Sequence, residues 1–398
     1  MRVPDGWNTL PISEILERVS DPVFPELEKN YYQIGIRSHG KGLFYKEAVT
    51  GEALGNKRVF RIHPDCFIVN IVFAWEQAVA KTSANEIGMI ASHRFPMFRP
   101  RNHQCDIDYL TYFFKTPKGK YLLELASPGG AGRNKTLGQN EFSLLKLTLP
   151  PINEQQKISQ ILSTWDKAID KLEALIAAKQ KRKKALMQQL LTGNNRGVNV
   201  DEAWNEYKLG ELCEFKRGKG LSKDMLISDG KYKCILYGEL YTKYNDVIGD
   251  VVSKTNEDNS IKSVYGDVLI PSSTTTSSID LANAVALLEA DVLLGGDINI
   301  LRPNKTIVCS EFLAYILTHI KKHQIASKAQ GATIIHLYGS NLKSILVKIP
   351  DIKEQQRIAT ILSSADKEIT THQNQLAALK QQKKALMQQL LTGKKRVV

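Results

Sequence analysis

One long segment occurs twice in this 398-residue chain, and that duplication limits its architecture more than any other feature. Pro150 to Gly193 returns as Pro350 to Gly393, at an offset of 200 residues and without a gap, with 25 of the 44 positions identical. Self-similarity of this extent marks a repeated structural unit. The segments around it echo more faintly. Trp7 to Glu17 resembles Trp204 to Glu214, Arg99-Pro100 has a counterpart in Arg302-Pro303, and Leu147-Thr-Leu-Pro150 in Val347-Lys-Ile-Pro350. The repeated unit is therefore a domain followed by the long segment.

Each copy opens at proline and closes at Thr-Gly, the order of helix start and stop signals, and Asp351 with Glu354 has the spacing of a capping box. Apolar residues in the first copy (Ile158, Leu162, Trp165, Ile169, Leu172, Ile176, Leu186, Leu190) fall on one stripe of alternating three- and four-residue steps, which Lys179 and Lys183 interrupt. The second keeps it as Ile358, Leu362, Ala365, Ile369, Leu376, Leu379, Leu386 and Leu390, with His372 and Lys383 as its polar members. That is a coiled-coil seam. A helix of about 40 residues is roughly 60 Å long, and a seam so apolar cannot face water alone. The nearest equivalent partner is the other copy, so the two helices are expected to pack as an antiparallel coiled coil.

The expected organisation is a globular domain at 1–150, helix at 151–193, polar linker at 194–203, second domain at 204–350, helix at 351–393 and a basic tail at 394–398. Both domains mix short β-branched and aromatic runs (Cys66 to Phe73; Gly266 to Pro271) with a helical stretch before the final strand (Ile107 to Leu125; Cys309 to Ser327). The fold class read from this pattern is α+β with a pseudo-twofold internal repeat.

Five scattered cysteines without a Cys-x-x-Cys pair argue against a disulfide framework or a thiolate zinc site, and read as buried thiols. No apolar run approaches the roughly 20 residues that span a bilayer, and the start lacks a signal peptide's apolar stretch, so no membrane association and a cytoplasmic location are expected. A net charge of +13 points to a polyanionic partner. The two long helices carry six of those charges, and Lys394, Lys395 and Arg396 add three. Any phosphate-binding face on the domains must then be a local patch. The run Lys179 to Lys184 reads as a solvated helix face.

No nucleotide-binding glycine loop, dinucleotide fingerprint, nucleophile elbow or zinc-protease helix is present. His319 and His323 stand four apart, but no third ligand accompanies them, and no metal site is expected. Pro350-Asp351-Ile-Lys353-Glu354 carries the letters of a metal-dependent nuclease, yet lies where a helix cap explains it. No catalytic constellation emerges. An amino-methyltransferase would need an Asn/Asp-Pro-Pro-aromatic loop, which is missing, and a purely structural coiled coil would leave two substantial domains without a role.

What the domains offer is clustered donors in glycine-rich contexts: Arg37, His39 and Lys41, Lys57 and Arg58, and Arg133, Asn134 and Lys135 in the first; Lys216, Arg217 and Lys219, Thr274 and Thr275, and Lys328 and Gln330 in the second. Such side chains bind phosphates and base edges.

At Glu154-Gln-Gln156 and Glu354-Gln-Gln356, each after a strand ending in proline and each leading a helix that ends in Leu-Leu-Thr-Gly, the sequence resembles the specificity subunits of Type I restriction-modification enzymes, over nearly the whole chain. The resemblance implies a non-catalytic subunit that reads a split DNA target, one half per domain, the helical pair setting the gap. Strong divergence between the two domains implies an asymmetric target. Two methyltransferase subunits that flip and N6-methylate adenine with S-adenosylmethionine, and two ATP-driven restriction and translocase subunits, are the implied partners of this subunit on double-stranded DNA. S-adenosylmethionine, ATP and Mg are then expected on those partners, with no cofactor in this chain.

Overall fold

The computed structural model describes residues 3–129, 135–193 and 204–397, so the expected linker at 194–203 and the expected DNA contacts Arg133 and Asn134 lie outside the described residues. The chain divides into two compact units, Met1–Glu173 with Gln375–Val398, and Ala174–Asn374. The repeated segments are the helices Ile152–Leu190 and Ile352–Leu390, and the division falls within each of them. Among the described residues no helix is long and apolar enough to cross a membrane.

In the first unit, strand Asn8–Pro11 pairs antiparallel with Lys146–Leu149, the strand that feeds the long helix. A four-stranded sheet runs in the order Val79–Lys81, Phe67–Val69, Met97–Pro100, Leu16–Val19. A smaller sheet joins Ile90–Ser92, Val59–Arg61 and Pro22–Val23. The helical stretch expected from Ile107 to Leu125 is two helices, Ile107–Phe114 and Pro117–Leu125. Pro117 has no N–H to continue the first helix, and Thr116 caps the second by accepting from the Gly119 N–H. Phe67, Phe114 and Phe142 form an aromatic centre. This core takes in Ile158 and Leu162 from the start of the first long helix, and Leu390 and Leu391 from the end of the second.

The second unit repeats that design. Asn205–Lys208 pairs with Leu346–Ile349, and a five-stranded sheet runs Cys213–Arg217, Ile298–Pro303, Asp267–Pro271, Val285–Leu287, Val247–Ile248. Its helical stretch is also broken, into Ser310–Tyr315, a wider turn at Ile316–Ile320, and Lys322–Ala326. Ile358, Ala359 and Leu362 from the start of the second long helix, and Leu191 from the end of the first, complete the core. Fully burying a leucine or isoleucine contributes about 1.5–3 kcal/mol, so both domains depend on both helices.

The helices are antiparallel within each unit. In the first, Asp166 pairs with Lys383 and Glu173 with Lys380. In the second, Lys183 pairs with Asp366 and Lys179 with Glu368, each at 2.5 Å. The lysines that interrupt the stripe are thus its polar register marks. Two of them are also seated over tyrosine rings, Lys383 5.2 Å from Tyr112 and Lys183 5.5 Å from Tyr315. Those phenols donate to the same carboxylates, Tyr112 to Asp166 at 2.6 Å and Tyr315 to Asp366 at 2.8 Å.

The first glutamine of each Glu-Gln-Gln motif ties helix to domain. Gln155 accepts from the Asp106 N–H at 2.9 Å and donates to the carbonyls of Gln104 and Pro150 at 3.0 and 2.9 Å. Gln355 does the same with Cys309 N–H, Ile307 and Pro350, at 2.9, 3.0 and 2.8 Å. The carboxylate of Asp351 accepts from the N–H groups of Lys353 and Glu354, the cap expected there. Gly193 and Gly393 close the helices at φ of +70° and +69°, a left-handed conformation suited to glycine. Gly193 lies against Trp204 and Gly393 against Trp7, so the faint tryptophan echo is a packing echo.

The basic tail is not a free cation cluster. The Arg396 guanidinium donates to both oxygens of Glu154, at 2.7 and 2.8 Å, and to the Asp5 carbonyl at 2.6 Å. Burial pushes the Glu154 carboxyl up, but these hydrogen bonds and the Val397 N–H outweigh it and hold the group below its ordinary 4.5.

Two outcomes are expected. Gln355→Leu leaves a buried N–H and two carbonyls unpaired and should cost about 2–4 kcal/mol, read as a lower urea midpoint with little change in slope. Glu154, with its depressed folded value, adds stability above pH 4.5 that is lost as the pH falls through that lower value. Arg396→Ala should lower stability at neutral pH and make the acid limb of stability against pH shallower.

Candidate nucleic-acid interface

In the first domain the run Cys66 to Phe73 is strand only at Phe67–Val69. There Asn70 turns the chain by accepting from the Val72 N–H at 3.0 Å, and the turn leads into a cleft of about 560 Å³. Backbone pairing assembles the walls: Lys46 N–H to Gln33, His93 N–H to Arg58, and Ile71 N–H to Arg94, at 2.9, 3.0 and 3.0 Å. Lys46, Lys57, Arg58 and Arg94 line it together with His93, Asn56 and Asn70, and no carboxylate does. All four permanent cations are exposed, and among the described residues none is paired with an acid. Phe73 and Phe95 supply apolar wall. Cations for phosphates beside amides and rings for bases are what a nucleic-acid strand requires.

Of the expected contacts, Lys57 and Arg58 are in this cleft. Arg37, His39 and Lys41 are not; they occupy the exposed tip of the hairpin Ile34–Ile36 and Leu43–Tyr45, whose base supplies Gln33 and Lys46. Arg37 donates to the Leu43 carbonyl at 3.0 Å and lies over the Phe44 ring. Lys135 is 5.6 Å from the Trp75 ring, and Trp75 donates to the Val72 carbonyl of the cleft wall. Lys46, Asn70, His93 and Arg94 escaped the sequence reading. Lys46 and Asn70 stand singly and His93-Arg94 as a lone pair far from the other basic clusters, and only strand pairing gathers them.

In the second domain Lys216 and Arg217 end a strand and line a smaller cleft of about 250 Å³ with Asn299, Tyr338, Ser340 and Lys343. Its charge is partly spent, since Arg217 pairs with Asp297 at 2.9 Å and Lys216 with Glu214 at 3.3 Å. Thr275 is exposed, whereas Thr274 is turned inward, 1% exposed and bonded to Thr276, which removes it from direct contact with a ligand. Strand Ser273–Thr274 pairs with Ile335–His336, and His336 exchanges two backbone hydrogen bonds with Gln330, so Gln330 joins the edge that Thr275 continues, while Lys328 lies in the turn that ends helix Lys322–Ala326. Lys219 stands apart, its ammonium on Asn259 at 3.3 Å. A larger cavity of about 890 Å³ carries two lysines and two carboxylates on a mainly apolar wall. Glu239 there is already bonded to Lys243 and Ser253, so that cavity offers a polyanion no net charge.

The remaining reactive groups are engaged in structure. His319 bonds Asp246 at 2.8 Å, and among the described residues no three His, Cys, Asp or Glu side chains gather as metal ligands. Burial pushes the Cys105 and Cys213 thiols up to about 12, and those of Cys234 and Cys309 to about 11. Four of the five cysteines are buried as expected, while Cys309 is half-buried.

The family model described as Type I restriction modification DNA specificity domain matches residues 4–179 and again 201–381. The chain is similar to the type I restriction enzyme MjaVIII specificity subunit of Methanocaldococcus jannaschii, 23% identical over 434 aligned residues that cover 100% of this chain and 95% of that one. Among solved structures it resembles the Type-I restriction-modification system S subunit from M. genitalium, with a TM-score of 0.65 at 15% identity over 98% of both chains. It also resembles the HsdS subunit from Thermoanaerobacter tengcongensis, with a TM-score of 0.51 at 18% identity over 99% of this chain and 98% of that one. These two likenesses concern the fold.

If the first cleft meets phosphates, Arg58→Ala with Arg94→Ala should flatten the slope of log affinity for duplex DNA against log salt by about 0.9 per lost contact. Thr274→Val should leave that slope unchanged.

Proposed function

Because this chain belongs to the Type I restriction modification DNA specificity family, we propose that its two domains each read one half of a split, asymmetric target on double-stranded DNA. The observation that carries this is the difference between two domains built on one plan. The first presents a cleft with four cations that have no acidic partner among the described residues and two asparagines, the second a smaller one whose arginine is paired and whose wall is hydroxyl-rich. Unlike linings select unlike base edges. The paired helices set the gap between the half-sites.

In this reading the chain supplies address and architecture in the cytoplasm, and the chemistry belongs to other subunits. Two methyltransferase subunits would hold S-adenosylmethionine and modify one flipped adenine in each half-site. Two restriction and translocase subunits would use ATP and Mg. The site residues proposed for DNA are Lys57, Arg58 and Lys135, with Lys46, Asn70 and Arg94 added, in the first domain. In the second they are Lys216, Arg217, Lys219, Thr275, Lys328 and Gln330, with Lys343 added. Arg37, His39 and Lys41 are proposed as a separate contact.

The test is to express the chain with the methyltransferase encoded beside it and map methylated adenines on plasmid DNA by single-molecule sequencing. A two-part motif with one modified adenine in each half is the expected outcome, and Asn56→Ala, at an exposed amide of the cleft, should relax only the half read by the first domain. Methylation without any motif would overturn the proposal.

A further inference from the structure

Outside its cleft the first domain holds a second cationic feature. The hairpin tip is held down by hydrogen bonds from the His39 and Gly40 N–H groups to Glu76 and Gln77, at 2.6 and 2.9 Å. Its Gly40 rests on the alkyl stem of Lys115, so close that a Cβ there would stand 2.8 Å from Lys115 Cγ. An open cavity of about 230 Å³ lies between tip and helix, walled by Gly42, Lys81, Asp108, Tyr112 and Lys115 among others. The acids nearby are already used. Lys81 bridges Asp65 and Asp108 at 3.1 and 2.8 Å, and Asp166 takes Lys383 and the Tyr112 phenol. Among the described residues Lys115 has no such partner; its ammonium lies 5.8 Å over the Tyr112 ring. Burial pushes that ammonium down from its ordinary 10.5; the charges of Asp166 and Asp108 oppose this and that of Lys383 adds to it.

The second domain shows that the fold does not require this lysine. Three residues after Tyr315, as Lys115 follows Tyr112, stands Thr318, whose hydroxyl exchanges hydrogen bonds with the Ala284 backbone at 2.8 and 2.9 Å. Among the described residues this half-buried cation has no acceptor, and it faces a cavity whose tip side is Gly42 and Leu43, next in the chain to the exposed Lys41.

We propose that Lys115 with the hairpin tip seats one backbone phosphodiester of the bound DNA, a contact of the first domain that the second lacks. The proposal rests on the DNA-reading role above. It anchors position and not sequence, and it ties a phosphate to the Tyr112–Asp166–Lys383 group that joins the domain to the long helices.

The test uses the full chain assembled with its methyltransferase subunit and a mixed-sequence duplex, titrated between about 50 and about 200 mM salt. Lys115→Gln should reduce the steepness of log affinity against log salt by about 0.9, Lys115→Arg should retain it, and the methylated motif should stay the same. Lys41→Gln, on the exposed tip, reads the same seat without touching the core and should flatten the slope in the same direction. Unchanged slopes for Lys115→Gln and Lys41→Gln, in a wild-type complex that does bind DNA with salt dependence, overturn the seat alone. A wild-type complex whose binding ignores salt overturns the DNA-reading role and the seat with it.

Discussion

Neither long helix can present its seam to water, and neither domain closes its core without both of them. Ile158 and Leu162 enter the first core with Leu390 and Leu391, and Ile358 and Leu362 enter the second with Leu191. At about 1.5–3 kcal/mol for each fully buried aliphatic side chain, these contributions are comparable to the net stability of a whole domain. Domain and helices are therefore one folding problem in each unit. A substitution at a helix end is felt inside a domain core.

Apolar stripes alone would allow the helices to slide, and the polar members prevent it. Lys183 with Asp366 and Lys383 with Asp166 occur at equivalent points of the two copies, each completed by a tyrosine from the adjoining domain. Half-buried ion pairs add little net stability, because desolvation offsets most of the attraction. A misregistered pair, however, would leave charges buried without partners. Their effect is on register, the use for which polar seam residues are best attested. Gln155 and Gln355 act in the same way at the helix starts, each meeting three backbone groups that no apolar residue could satisfy.

On this shared frame the domains diverge where a ligand would meet them. The first gathers, around amides and rings, cations that have no acidic partner among the described residues, while the second neutralises part of its charge with Asp297 and Glu214. The two domains thus repeat one plan with unlike faces.

The repeat, the helix limits, the seam and the α+β class were legible in the sequence, because they rest on periodicity, on caps and on identity between copies. Glu-Gln-Gln and Leu-Leu-Thr-Gly were visible as motifs, although their reasons were not: Gln155 meets Gln104 and Asp106 only after the chain has turned back on itself. The basic clusters were legible as letters. Tertiary structure alone decided that Lys57 and Arg58 join Lys46 and Arg94 in one cleft, that Arg37 and Lys41 sit elsewhere, that Thr274 turns inward, and that Arg396 is engaged by Glu154. The physical reason is range. A helix and its seam are set by neighbours three and four residues apart, whereas a binding face is assembled by strand pairing between segments tens of residues apart, whose partners no local pattern announces.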